Sequence, residues 1–62
     1  MAKGKTYFVE YNAKYVGCYK SLKGALNLVA RKGYTNDLDN VTRIVDNDGN
    51  EYDIFSGKEI EY

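Results

Sequence analysis

Sixty-two residues fit one domain, which buries only about 60% of the surface its unfolded chain exposes, so a second domain has no room. Cys18 is the lone cysteine and histidine is absent, which excludes an intramolecular disulfide and the usual Cys/His zinc site. The formal charge of zero hides a division: residues 1–33 carry seven Lys/Arg and one acidic residue, net +6, and residues 34–62 carry two Lys/Arg and eight acidic residues, net −6.

Met1-Ala2-Lys3-Gly4-Lys5 is basic, but it leads into an alternating tyrosine-rich stretch rather than the apolar core of a signal peptide. Apolar runs such as Leu28-Val29-Ala30 fall far short of the roughly 20 residues that cross a bilayer. The expectation is a cytoplasmic protein with no membrane partner.

Residues 6–20 are rich in aromatic and β-branched types and are broken by turn-prone Asn12-Ala13, the pattern of a β-hairpin. A two-residue loop there pairs Val9 with Val16 and Tyr7 with Cys18. Tyr7, Val9, Tyr11, Val16 and Cys18 then share one face, and Phe8, Glu10, Tyr15, Gly17 and Tyr19 the other. Both faces are partly apolar, and one helix covers only one of them.

Ser21 is a good N-cap, and Leu22, Ala25, Leu26, Val29 and Ala30 follow at the spacing of an amphipathic helix. Arg31 and Lys32 suit the negative end of its dipole and Gly33 suits the C′ position, which predicts a helix over 22–32. Leu28 points away from this stripe. Gly24 in the first turn weakens the helix unless close approach to the sheet requires a missing side chain.

After a polar loop over 34–40, β character resumes at Val41-Thr42-Arg43-Ile44-Val45. Asp48-Gly49 signals a second hairpin with a two-residue type I′ turn. Pairing Asn47 with Asn50 sets Val45 opposite Tyr52 and places Val41, Arg43, Tyr52 and Ile54 on one face. The fourth strand is expected to end near Phe55 or Ser56. The predicted fold is α+β, an antiparallel β-β-α-β-β sheet with one helix packed on one face, forming a single domain over 1–62 with room for flexibility in 1–5 and 57–62. Its expected core is Val9, Val16, Leu22, Leu26, Val29, Val45 and Ile54.

Few residues here suit catalysis. General acid–base chemistry commonly draws on a tuned histidine or on paired carboxylates in a cleft, and one helix on one small sheet offers little cleft. No enzymatic activity, cofactor or metal is expected. Asp46-Asn47-Asp48-Gly49-Asn50-Glu51 resembles the opening of a calcium loop, but Gly57 stands where the bidentate glutamate belongs and the flanks are strands, so a hairpin turn is the better reading.

Two surfaces remain as candidates for binding. Phe8, Tyr15 and Tyr19 form an aromatic group on the face opposite the helix, and tyrosine favours protein interfaces because it joins a large rigid area to a polar tip. Asp46, Asp48, Glu51 and Asp53 form an acidic group able to imitate spaced phosphates. The lysines Lys3, Lys5, Lys14 and Lys20 interleave with the hairpin aromatics, a mixture that also stacks bases and neutralises phosphates.

Ser21 to Ala30 after a tyrosine-rich hairpin, followed by Val41-Thr42-Arg43-Ile44, resembles very small bacteriophage proteins that inhibit host or defence machinery, among them anti-CRISPR proteins. The resemblance covers residues 6–45 as a pattern. It implies a protein that binds a bacterial protein complex and blocks it, as a homodimer in many such cases. Tyr7 to Ala30 is also similar to AP2-type and integrase-arm domains, which read DNA with a three-stranded sheet followed by a helix. The acidic second hairpin departs from that pattern, and nucleic acid becomes the less favoured partner.

Overall fold

The computed structural model describes residues 4–61, so Lys3, the rest of the segment before residue 4, and Tyr62 lie outside it. Its elements run β1 (Tyr7–Tyr11), β2 (Lys14–Tyr19), α1 (Leu22–Lys32), β3 (Thr42–Asp46), β4 (Glu51–Tyr52) and β5 (Glu59–Ile60). The strands form one antiparallel sheet in the order β2-β1-β3-β4-β5, with α1 packed on β1 and β2. The α+β architecture is the one expected. It gains a fifth strand from residues assigned to the tail: Asp53 N–H donates to Lys58 O at 2.9 Å and Gly57 N–H to Asp53 O at 2.9 Å, which folds the chain back on β4.

The helix forms for the reasons read from its ends. Ser21 Oγ accepts from Gly24 N–H at 3.2 Å, and Gly33, at φ 70°, closes the other end with its N–H directed to Ala30 O. Its buried side is rotated from the expected stripe. Leu28 is buried with Ala25 and Val29, Leu22 and Leu26 are half-buried, and Ala30 is exposed.

A β-bulge causes that rotation. The loop at Asn12-Ala13 has two residues, both at positive φ, and pairs Tyr11 with Lys14. Glu10 pairs with Tyr15, but Val9 then pairs with Gly17, Phe8 with Cys18 and Tyr7 with Tyr19, leaving Val16 as the extra residue. Past the bulge the β2 side chains change face relative to the expected pairing of Val9 with Val16 and Tyr7 with Cys18, while those of β1 keep theirs. Gly17 and Tyr19 meet the helix, whereas Val16 is exposed and leaves the predicted core. A Cβ on Gly17 would stand 2.8 Å from Leu28 Cδ2, and one on Gly24 would stand 3.2 Å from Tyr19 Cδ1. Both glycines therefore let helix and sheet approach closely.

The second hairpin shifts by one residue too. Asp46 N–H donates to Asn50 O at 2.9 Å, and Gly49 N–H to Asp46 O at 3.0 Å with Gly49 at φ 90°, so the loop is Asn47-Asp48-Gly49 rather than a two-residue turn. Ile44 now faces Tyr52 and Val45 faces Glu51. Ile54 lies in the core as expected and Tyr52 joins it, whereas Arg43 and Val41 are exposed and Val45 is only half-buried. The core is thus Val9, Ala25, Leu28, Val29, Ile44, Tyr52 and Ile54, with Tyr7, Tyr19, Leu22, Leu26 and Tyr34 packed around it.

Leu28→Ala is expected to cost about 2 to 5 kcal/mol in chemical denaturation, and Leu26→Ala markedly less. Gly17→Ala should cost about 1 to 3 kcal/mol through overpacking against Leu28. The double variant should be less unstable than the sum of the two single changes, because the added methyl enters space vacated by the leucine; strict additivity would show that the two side chains do not meet.

Candidate partner-binding face

The alternation of β1 and β3 sends Val9, Thr42, Ile44 and Asp46 into the interior and leaves Phe8, Glu10, Arg43 and Val45 on the face away from the helix. Phe8 and Tyr15 meet edge to face with centroids 6.0 Å apart. Together with Cys18 and the bare backbone of Gly17 they line a shallow, open, apolar depression. The exposed Cys18 supplies an apolar wall there, a place that no spacing in the sequence indicated.

Beside the aromatic pair lies a short ionic ladder. Arg43 Nη1 is 3.3 Å from Glu10 Oε1, and its Nη2 is 3.2 Å from Glu51 Oε1. The guanidinium at the centre of this face is therefore bracketed by two carboxylates on neighbouring strands. Pairs this exposed stabilise little, but they keep Arg43 spread flat across β1, β3 and β4.

The remaining expected contact residues lie elsewhere. Tyr19 packs on the helix face, against Gly24. Asp46 is buried and engaged within the chain: its carboxylate accepts from the Tyr52 hydroxyl at 2.7 Å and from the Asp48 and Asn50 N–H groups at 2.9 Å each. Lys5 Nζ stands 3.3 Å from the same carboxylate. Asp53 accepts from Ser56 N–H at 2.6 Å and from Phe55 N–H at 3.2 Å, capping the turn before β5. Glu51 belongs to the Arg43 ladder, and Asp48 is exposed in its loop. The acidic group thus disperses into one interior anchor, one turn cap, one ion-pair member and one surface residue.

The electrostatics follow from these bonds. Burial raises the pKa of Asp46, but the Tyr52 hydroxyl, the Asn50 and Asp48 amides and the Asn50 side chain together outweigh it and hold the carboxyl well below the usual range. Lys5 is pushed upward by the Tyr52 hydroxyl and by Asp46. The Asn40 and Asp39 amides, with the Thr35 hydroxyl, lower Asp37 at the centre of the 34–40 loop. That loop carries Leu38 fully exposed, a second apolar surface feature that the polar character of the segment concealed.

Among the described residues, no group of three or more His, Cys, Asp or Glu side chains is arranged to hold a metal ion, and no helix is long and apolar enough to cross a membrane. Comparisons with protein-family models, curated proteins and solved structures gave no match.

Asp46 sets an expected acid limit. Its pKa is depressed on folding, so its contribution to stability is complete above the unfolded value near pH 4 and is lost as pH falls from there through the lower folded value. Denaturant midpoints measured downward from pH 5 should fall for the parent. Asp46→Asn should be less stable at neutral pH and should lose much of that acid dependence; an unchanged pH profile would remove Asp46 from this role.

Proposed function

We propose that this protein is a non-enzymatic binding module that docks on a protein complex of a bacterial host, through the face carrying Phe8 and Tyr15, and blocks it sterically. The supporting observation is the composition of that face. An aromatic pair and a thiol line an open apolar depression, and the adjacent Arg43 is neutralised by Glu10 and Glu51. Apolar area with a polar, charge-balanced margin suits a protein surface. Phosphates select instead for cations left available by their neighbours.

Imitation of nucleic acid by the acidic hairpin is the less favoured means of blocking, because Asp46, Glu51 and Asp53 are committed to partners within the chain. The place of action is the cytoplasm of the bacterial host, as in the small phage inhibitors that the sequence resembles. Its chemistry is that of a contact surface, since the groups with shifted pKa cap turns or anchor the second hairpin.

Immobilised protein should retain a bacterial protein from nuclease-treated lysate at high salt. Phe8→Ser and Tyr15→Ser should abolish retention while melting close to the parent. DNA and RNA should show no binding in anisotropy titrations at low salt. Salt-sensitive nucleic-acid binding, lost on Lys14→Glu, would replace this reading with the basic-hairpin alternative.

A further inference from the structure

Among the described residues, Ile54 is the last buried one; from Phe55 to Glu61 each is exposed or half-buried. β5 stands at the edge of the sheet and pairs only with the two residues of β4, Ile60 with Glu51 and Glu59 with Tyr52. Lys58, Glu59 and Glu61 enter no ion pair among the described residues. The segment is held instead through Asp53. Its N–H donates to Lys58 O, its C=O accepts from Gly57 N–H, and its carboxylate accepts from the Phe55 and Ser56 amides. Ser56 Oγ tightens the same turn by accepting from Lys58 N–H at 3.2 Å.

This lightly held segment covers apolar side chains. A Cβ on Gly57, at φ 77°, would stand 2.9 Å from Leu26 Cδ1 and 3.7 Å from Leu22 Cδ2, so bare backbone lies against both leucines. Phe55 lines a groove together with Leu26, Val29 and Ala30 of α1, with Tyr34 and with Ile54.

We infer that residues 55–61 form a lid on the flank of α1, latched by Asp53, that opens as a unit while the rest of the fold stays closed. The boundary falls after Ile54, because Ile54 is buried and Tyr52 is both buried and tied through its hydroxyl to Asp46 at 2.7 Å. β4 therefore keeps its place when β5 leaves. Opening breaks backbone bonds at the sheet edge and the contact at Gly57 but draws out no buried side chain, which places it at the low end of local unfolding free energies. The open state exposes Leu22 and Leu26 beside Val29 and Ile54, and it removes the Phe55 wall of the groove. Closure is set by one residue, since the N–H, the C=O and the carboxylate of Asp53 all bond into the turn.

Native-state hydrogen exchange of the parent should show the Asp53 and Gly57 amides exchanging at least about a hundredfold faster than the slowest amides of β1, through an opening that low denaturant does not accelerate. Ile44→Val weakens the core in the closed and open states alike. It should speed the slowest β1 amides about fivefold and leave the Gly57 amide within about twofold of the parent. Asp53→Ala should speed the Gly57 amide about tenfold. Gly57→Ala, which strains the positive φ and presses a methyl on Leu26, should speed the position-53 amide in the same direction. Lid amides as slow as those of β1, or accelerated with them by Ile44→Val, would overturn the inference, and so would amides with no protection at all, which mark a segment that does not close. A Gly57 amide indifferent to Asp53→Ala would remove the latch. Where a variant fails to fold, the denaturant dependence of the parent's own amides decides between opening of the lid and global unfolding.

Discussion

The contact between Gly17 and Leu28 is the constraint on which the rest of this fold rests. A helix with as little apolar surface as α1 buries Leu28 only where the sheet offers a position without a side chain, and the bulge at Val16 turns Gly17 to that position. The same bulge turns Tyr19 inward, under Gly24, and leaves Tyr15 and Cys18 outside. One additional residue in one strand therefore determines both how the helix docks and which apolar groups remain exposed.

Asp46 organises the opposite end. A buried carboxylate is costly unless its lone pairs are used, and here two backbone amides, the Asn50 side chain, the Tyr52 hydroxyl and the Lys5 ammonium use them. The hairpin loop, the core ring of Tyr52 and the segment entering β1 are fastened to this one group. Tyr7 completes the cluster with its ring 5.4 Å from that of Tyr52 at 67°. In a domain too small for a deep core, such polar anchoring fixes strand ends that apolar burial does not reach.

These two arrangements leave the sheet asymmetric. The helix side is filled by aliphatic groups with Tyr7, Tyr19 and Tyr52, and the other side combines Phe8, Tyr15, Cys18 and Val45 with the Glu10–Arg43–Glu51 ladder. The ladder keeps the charges of that side balanced beside its exposed apolar groups.

Local chemistry in the sequence determined the helix, its caps at Ser21 and Gly33, the turn at Asn12-Ala13 and the antiparallel α+β architecture, because each depends on residues within a few positions of one another. Phe8 and Tyr15 as outward aromatics were legible too, since Tyr15 precedes the bulge when counted from the turn and Phe8 lies on β1, which has no extra residue. Register was not legible. Asp48-Gly49 is compatible with a two-residue and a three-residue loop, and the side-chain bonds of Asp46 select the longer one. The bulge has no signature in residues 14–19 themselves; it satisfies a helix that must approach at Gly17, a requirement that arises only when strand and helix meet. These slips turn Tyr19, Leu28 and Val45 to faces other than those expected, and Asp46 is interior rather than a surface acid because its partners, Lys5 and Tyr52, are brought to it from distant points of the chain. Short-range preference decided the elements; the tertiary structure decided which face each side chain occupies, because a shift of one residue reverses a strand's faces at almost no local cost.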